Sequence, residues 1–510
     1  MTHFARTASI AALLSLTASM SHALTADALW KSWQDAAAAA GLTVTAATQE
    51  RNGAELRLNT VTFVPTDAAM AAGVTVTLTD LVMTEASDGS VTVVPSDDLT
   101  IDVTGAEGTE EGGAVVIGHE AFVMTVTEAG EAMNYVVTAD AVVVAGDMAT
   151  PGYALDPAVP APLTKQVFSV ALAGLDATVD DTPGANRTIA VAVTADQLTY
   201  EVTAEDPAMK SKSVQTSTTQ EPALNADLTL PATLMLAALT TPQAWSAAFG
   251  EGMALAMEAT QGEAVVSMKD ENEFLPMDMT YTTQPGKTGI SVDKDGFVME
   301  STAEGMAVKV ITAMLPIPSL DINIGPVEVA LSMPLMAAEA AQEFGLLFKL
   351  ADVTVNEGAW AVIDPAATLP RDPAQLVIDA SGTAKLDLFA LMAAEAGGMG
   401  EVVPPQPETL NISDLTLKIA GAALAGSGAF TFDNTTGTPV PAGEANVSVQ
   451  GANGLIDKLI ALGLVTEQDA GGARMMMSMF MNPASGPDDL TSKIEAKADG
   501  SIFVNGQQIQ

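Results

Sequence analysis

The sequence has no cysteine in 510 residues. Disulfide bonds, thiolate catalysis and cysteine-ligated metal sites are therefore excluded. Histidine is scarce as well: the sequence has three, and only His119 lies beyond residue 23. One histidine cannot build a multi-histidine metal site or a histidine proton relay in that part of the chain.

Basic residues are few, with 20 Lys and Arg against 63 Asp and Glu and a formal net charge of −43. Such an acidic surface repels phosphate backbones and anionic lipid head groups, so we expect no nucleic-acid partner. Our main interpretation is that the acid keeps the protein solvated, and divalent-cation binding is the alternative. Because 48% of the residues are hydrophobic, the chain is expected to bury a core.

Long apolar runs are also missing. Beyond the N-terminus we find no stretch of about 18 apolar residues that could cross a membrane as a helix. Residues 1–23 resemble a cleavable export signal, with Arg6, an apolar run over 8–16 and Ser21-His22-Ala23 before the cleavage site. We predict a mature chain that begins at Leu24, carries no transmembrane segment and lies in the periplasm, with extracellular release as the less favoured alternative.

The dominant pattern is alternation of apolar and polar residues. Over residues 375–389 the even positions are apolar or small and the odd positions mostly polar, which predicts one long strand with a dry face and a wet face. Residues 42–209 repeat the pattern, with hairpin turn pairs such as Asn52-Gly53. We predict a mainly β (β-rich α+β) fold: a large curved antiparallel sheet or sheets with long strands, covered by a few short amphipathic helices.

Helix signals are few. Thr25 is a predicted N-cap for a helix over 26–40, Pro242 opens a second helix, and Thr466 begins a third that runs toward Met481. A looser helical pattern covers residues 334–350. Asn505-Gly506 predicts a closing hairpin.

One segment has little apolar content, residues 210–220. It predicts a polar loop or linker over 210–223 between an N-terminal β-rich half, 24–209, and a C-terminal β-rich half with short helices, 224–510. A single domain that continues across this segment is the open alternative.

Catalytic motifs are not found. Ser291 and Lys294 have the Ser-x-x-Lys spacing, but in an alternating run they do not share a helix face. Asp293 to Gly296 resembles part of a calcium loop that lacks its other ligands, so a turn is the better interpretation. We predict a protein that is not an enzyme and has no catalytic residues, no cofactor and no metal site; a hydrolase is a weaker alternative.

The least ordinary composition is methionine-rich, over residues 474–481. Thioethers suit irregular cores and adaptable apolar surfaces, and they are also suitable copper(I) ligands. Packing of a helix on the sheet is our main interpretation, followed by a lipid or partner surface and then by copper(I). The candidate apolar-ligand surface consists of Met475, Met477, Met479, Phe480 and Met481.

Two motifs resemble a known family: Trp360-Ala-Val-Ile-Asp-Pro365 and Leu369-Pro-Arg-Asp-Pro373, followed by the long strand. The family is an exported alphaproteobacterial one catalogued as domain of unknown function 2125. Residues 24–33 and 499–506 are similar to it as well. The resemblance implies an exported protein of single-family architecture and carries no established activity or catalytic residues.

Our leading hypothesis for function follows from the long two-faced strands. If the helices cover the sheet incompletely, its apolar face is open to a lipid or another apolar ligand, as in groove-shaped envelope proteins that handle lipids. The chain is then a non-enzymatic periplasmic envelope protein. The alternative is an acidic structural or divalent-cation-binding exported protein.

Overall fold

The computed structural model describes residues 23–39, 41–65, 74–95, 98–104, 112–151, 163–207, 210–232, 234, 239, 241–272, 275–395 and 404–510. The fold is 63% strand and 13% helix, and its strands pair antiparallel, so the mainly β prediction is confirmed. The predicted export signal lies outside the described residues, except for Ala23. The chain divides into two compact units, Met1–Thr280 and Tyr281–Gln510.

The described residues of the first unit form sixteen strands, the last of which runs past the division between the units. They are β1 Leu42–Asn52, β2 Glu55–Pro65, β3 Val74–Glu85, β4 Val91–Pro95, β5 Leu99–Thr104, β6 Gly112–Glu120, β7 Val123–Ala129, β8 Ala132–Pro151, β9 Leu163–Thr182, β10 Asn186–Thr194, β11 Gln197–Asp206, β12 Ser211–Gln220, β13 Ala223–Pro231, β14 Ala254–Gln261, β15 Ala264–Asp270 and β16 Met277–Thr283. Its helices are α1 Ala26–Ala39 and α2 Pro242–Gly250.

Helix α1 packs on the first strands, and the side chains between them form the main hydrophobic core of this unit. Leu29 and Trp30 are buried against Val44, Leu58 and Tyr135. Burying side chains of this size contributes about 2 kcal/mol each. The predicted capping is confirmed, since the Thr25 hydroxyl accepts a hydrogen bond from the Ala28 N–H at 3.1 Å. Pro242 opens α2 as predicted, and the Thr241 hydroxyl caps it.

Where the structure describes it, the second unit contains the remaining strands and four helices. The strands are β17 Gly286–Asp293, β18 Gly296–Ala303, β19 Met306–Thr312, β20 Leu320–Ile324, β21 Val327–Met333, β22 Gln342–Val355, β23 Ala374–Lys385, β24 Gln406–Ile419, β25 Ala422–Asp433, β26 Val440–Gln450, β27 Asn482–Gly486, β28 Asp489–Ala496, β29 Ile502–Val504 and β30 Gln507–Gln508. The helices are α3 Glu357–Ile363, α4 Leu388–Glu395, α5 Ala452–Ala461 and α6 Glu467–Phe480.

Most strands of the second unit form a meander. Hydrogen bonds join β17 to β18, β18 to β21, and then each strand to the next from β21 to β26. Strand β26 pairs with β28, followed by β29 and β30. The closing hairpin is confirmed: Asn505 and Gly506 have φ angles of 52° and 81°, which a two-residue hairpin turn requires and which glycine adopts readily.

Three local predictions are wrong. The predicted loop over 210–223 contains β12, which pairs with β11 and β15 and consists largely of β-branched and hydroxyl side chains. The first compact unit extends beyond this segment to Thr280. Residues 334–350 hold a loop and part of β22, and the long strand β23 ends at Lys385 because the Asp387 carboxylate accepts the Ala390 N–H at 2.8 Å and caps α4.

Candidate functional site: an apolar sheet face

Strand register places apolar side chains of the second unit on one face of the sheet. In an antiparallel pair, residues directly opposite each other point to the same face. Ile378 of β23 lies opposite Phe348 of β22 and Leu415 of β24, and Leu376 lies opposite Leu350 and Leu417. Continued from strand to strand, this register defines what we call the apolar face, on β17, β18 and β21 to β26.

The large side chains of the apolar face share this orientation on neighbouring strands. They are Ile290, Val292, Phe297, Met299, Val327, Val329, Leu331, Met333, Phe344, Leu346, Phe348, Leu350, Leu376, Ile378, Leu410, Ile412, Leu415, Leu417, Leu424, Phe430, Val447 and Val449.

The apolar face is accessible to solvent. Each of these side chains is half-buried or exposed, and Leu346 and Leu417 are 42% and 41% exposed. The opposite face carries residues such as Glu328 and Lys349, whose side chains form an ion pair at 2.7 Å. The predicted separation into an apolar and a polar side is therefore present. Val377 departs from it, because it lies on the polar side and is 7% exposed.

Helix α6 contacts the sheet where it continues into β28 and β29. The Ser492 hydroxyl, on the same side as the apolar face, donates to the Phe480 carbonyl of α6 at 2.7 Å, and the Asn505 side chain donates to that carbonyl at 2.9 Å. Here Leu490 and Val504 are 7% and 8% exposed. These two buried side chains therefore lie where α6 contacts the sheet.

The predicted methionine surface is split between two environments. Met475 and Met479 are 62% and 58% exposed, whereas Met477, Phe480 and Met481 are half-buried. Sequence reasoning missed Met476, which is 63% exposed beside them. The packing interpretation fits the half-buried residues, and the surface interpretation fits the exposed ones. The apolar face itself was not singled out residue by residue, although its alternation was the available signal.

A concave region lies in the first unit. It encloses about 550 Å³ and is lined by residues of β6, β8, β9 and β11. Val116 and Val167 contribute apolar surface, and the carboxylates of Asp147 and Glu201 lie beside them. The lining therefore combines apolar and acidic side chains.

The residues considered for catalysis do not assemble. Lys294 pairs with Asp295 at 2.6 Å, and the Asp293 carboxylate accepts the backbone N–H groups of Asp295 and Gly296. These residues form the turn between β17 and β18, as expected. His119 packs on Phe122, with ring centroids 5.5 Å apart. Among the described residues there is no cluster of three or more His, Asp or Glu side chains spaced to hold a metal ion.

A family model described as an uncharacterized protein conserved in bacteria (DUF2125) matches residues 228–505, more than half of the chain. The chain belongs to the DUF2125 family. The DUF2125 match contains the whole apolar face and the two motifs over residues 360–365 and 369–373. It does not include residues 24–33. A search of curated proteins finds no match.

One DUF2125 motif has a structural role in this chain. Asp364 is fully buried, and its carboxylate accepts hydrogen bonds from the Thr368 N–H at 3.0 Å, the Thr368 hydroxyl at 2.9 Å and the Leu369 N–H at 2.7 Å. Burial acts to raise the pKa of Asp364, but these hydrogen bonds outweigh it and hold the pKa below its usual value. The Arg371 guanidinium lies 5.7 Å from the Trp360 ring centre. The motif therefore fixes the path from α3 to β23.

No helix in the described part of the chain is both long and apolar enough to cross a bilayer.

Proposed function

We propose that this DUF2125 protein is a non-enzymatic periplasmic envelope protein that holds lipid acyl chains against its apolar face. The observation that carries the proposal is the accessibility of apolar side chains on every strand of this face. The export signal predicted from residues 1–23 supports the compartment.

The extent of the apolar face favours a ligand. With strands about 4.8 Å apart and same-face side chains about 6.8 Å apart along a strand, the face extends roughly 34 Å across its eight strands and roughly 20 Å along them. Soluble proteins rarely expose a contiguous apolar patch above a few hundred Å², and larger patches mark interaction sites. Each Å² that a ligand removes from water contributes about 25 cal/mol.

The dimensions suit an acyl chain. One leaflet of a bilayer has a hydrocarbon thickness of about 15 Å, half that of the whole core. An acyl chain aligned with the strands is therefore covered along its length by one face, and its polar end reaches the ends of the strands. Chains placed side by side extend across the neighbouring strands.

The test combines extraction with a binding assay. Mass spectrometry of organic extracts from the purified chain is expected to find co-purifying lipid, and the neutral fluorescent probe N-phenylnaphthylamine is expected to bind the delipidated protein. Leu346→Glu and Leu417→Glu place a charge on the apolar face, and we expect each to weaken probe binding at least about tenfold, since burying an unpaired charge is costly.

Val298→Glu is the matched control. Val298 is 40% exposed, a fraction similar to that of Leu346. Its register places it on the polar face, opposite Ser291 and Ser332. We expect this variant to bind the probe like the unsubstituted chain. Absence of both lipid and probe binding, or equal losses in all three variants, would contradict the proposal.

A further inference from the structure

The three Asn-Gly pairs of the chain differ in how firmly the structure holds them. They are Asn52-Gly53, Asn453-Gly454 and Asn505-Gly506. We propose that Asn52 is a site of spontaneous deamidation and that the folded structure protects the other two asparagines. The site lies in the first unit, and its chemistry does not depend on lipid binding.

Deamidation begins when the backbone nitrogen of the glycine attacks the side-chain carbonyl carbon of the asparagine. A new C–N bond closes a cyclic imide, the C–N bond of the side-chain amide breaks, and ammonia leaves with the proton of the glycine N–H. Water then opens the imide at either carbonyl, which gives aspartate or isoaspartate. Glycine favours ring closure because it has no side chain in the way. Both reacting groups must be free to approach each other.

The Asn52-Gly53 pair meets this requirement at the tip of the hairpin between β1 and β2. Asn52, Gly53 and Ala54 are all exposed. Gly53 has a φ angle of 61°, and a Cβ placed on it would meet no atom within 4 Å. Within the described residues, neither the Asn52 side-chain amide nor the Gly53 N–H has a hydrogen-bond partner. The electrophile and the nucleophile are therefore both unrestrained.

Asn505 is held through its side chain. Its Oδ1 atom accepts the Lys493 N–H at 2.9 Å, and its Nδ2 atom donates to the Phe480 carbonyl at 2.9 Å. The amide must break both hydrogen bonds before its carbonyl carbon can turn toward the Gly506 nitrogen. The hairpin turn at Asn505 thus presents the same dipeptide as Asn52 with its electrophile restrained.

The Asn453-Gly454 pair is held through its backbone. The Asp488 carboxylate accepts the N–H of Asn453 at 2.7 Å and the N–H of Gly454 at 2.9 Å. Both residues also lie in the first turn of α5. The attacking nitrogen is therefore engaged in a charge-assisted hydrogen bond and directed away from the Asn453 side chain.

Conversion of Asn52 changes the hairpin in two ways. Both products carry a negative charge opposite Glu55, and like charges directly opposite each other destabilise a strand pair. Isoaspartate also adds one methylene to the backbone beside the turn that sets the register of β1 and β2. Because Val44 of β1 belongs to the core under α1, the damage acts on the edge of that core.

The experiment compares the three asparagines within one sample. The full chain is aged at body temperature and mildly alkaline pH, digested under acidic conditions, and each Asn-Gly peptide is quantified by mass spectrometry. We expect Asn52 to deamidate at least about tenfold faster than Asn453 and Asn505, because the hydrogen bonds of the latter two must break before ring closure. In denaturing urea the three rates should agree within about twofold, since the local sequence then acts without the fold.

A pair of variants provides the second measurement. Total isoaspartate is measured by methylation with an isoaspartyl methyltransferase. Asn52→Gln keeps the amide but disfavours ring closure, and we expect it to lower the isoaspartate of the aged chain at least about fivefold. Asn453→Gln makes the same change at a protected pair and is expected to leave the isoaspartate unchanged.

Three results would overturn the proposal. They are similar native rates at all three asparagines, a rate order in urea identical to the native one, and equal isoaspartate in the aged Asn52→Gln variant and the aged unsubstituted chain. The first and second would mean that the fold gives no protection. The third would place the reactive asparagine elsewhere in the chain.

Discussion

An ion pair beside the first core offers a quantitative test of the structure. The Arg187 side chain donates two hydrogen bonds to the Asp181 carboxylate, both at 2.7 Å, and the two side chains are 17% and 6% exposed. Removing one member of a buried pair costs about 3–5 kcal/mol, and we lower this to about 2–3 kcal/mol because Arg187 keeps some access to water. We predict losses of that size for Asp181→Asn and for Arg187→Met.

The double variant isolates the pair. Because both singles remove the same interaction, the double variant should be about 1–2 kcal/mol more stable than the sum of the single effects. Urea unfolding is followed by tryptophan fluorescence in a Trp245→Phe, Trp360→Phe background, so that Trp30 and Trp33 report on the core around α1. A coupling below about 0.5 kcal/mol would place the pair with ordinary surface ion pairs and refute the reasoning.

Tyr135 gives an independent readout of the same pair. Burial raises the pKa of Tyr135 to about 12, the charge of Asp181 raises it as well, and the charge of Arg187 lowers it. Tyrosinate absorbance should therefore titrate at lower pH in Asp181→Asn and at higher pH in Arg187→Met. Shifts in the same direction would indicate general loosening of the core instead.

Three further predictions concern other parts of the chain. Hydrogen bonding to Arg51 holds the pKa of Glu85 below its usual value, and Glu85 also accepts the Ala26 N–H at 2.8 Å. This stabilisation is present above the ordinary glutamate pKa and is lost as pH falls through the lowered pKa of Glu85, so the melting-temperature difference between the unsubstituted chain and Glu85→Gln should shrink as the solution is acidified below the ordinary glutamate pKa. Met475→Gln and Met479→Gln should change the free energy of unfolding by less than about 0.5 kcal/mol, and Met477→Gln by more, in urea titrations. Calorimetry with calcium should show no saturable uptake; millimolar uptake with a raised melting temperature would favour the cation-binding alternative.

Local chemistry made much of the fold predictable. Thr25, Thr241 and Thr466 cap helices in the structure because each hydroxyl can accept a nearby backbone N–H, and that tendency is written in the sequence. Alternation identified the strands wherever apolar residues marked one side. The predicted strand extends past the end of β23 because Asp387 fits the alternating pattern but caps α4 in the structure.

Pairing between strands that are distant in sequence determines the features that the sequence pattern did not predict. The low hydropathy of residues 211–220 is typical of a loop. They form β12 nevertheless, because β11 and β15 on either side supply hydrogen bonds to the backbone of this serine- and threonine-rich segment. The apolar face likewise depends on the register of successive strands, and its accessibility depends on where α5 and α6 pack. Single-strand alternation shows that a face is apolar; it does not show whether another layer covers it.

The meander of the second unit makes the width of the apolar face adjustable. Inserting or deleting one antiparallel hairpin leaves the flanking strands running in their original directions and their side chains on their original sides, while the face widens or narrows by about 10 Å. A gain or loss of one hairpin would therefore change the area of the apolar face without changing the side chains of the strands that remain.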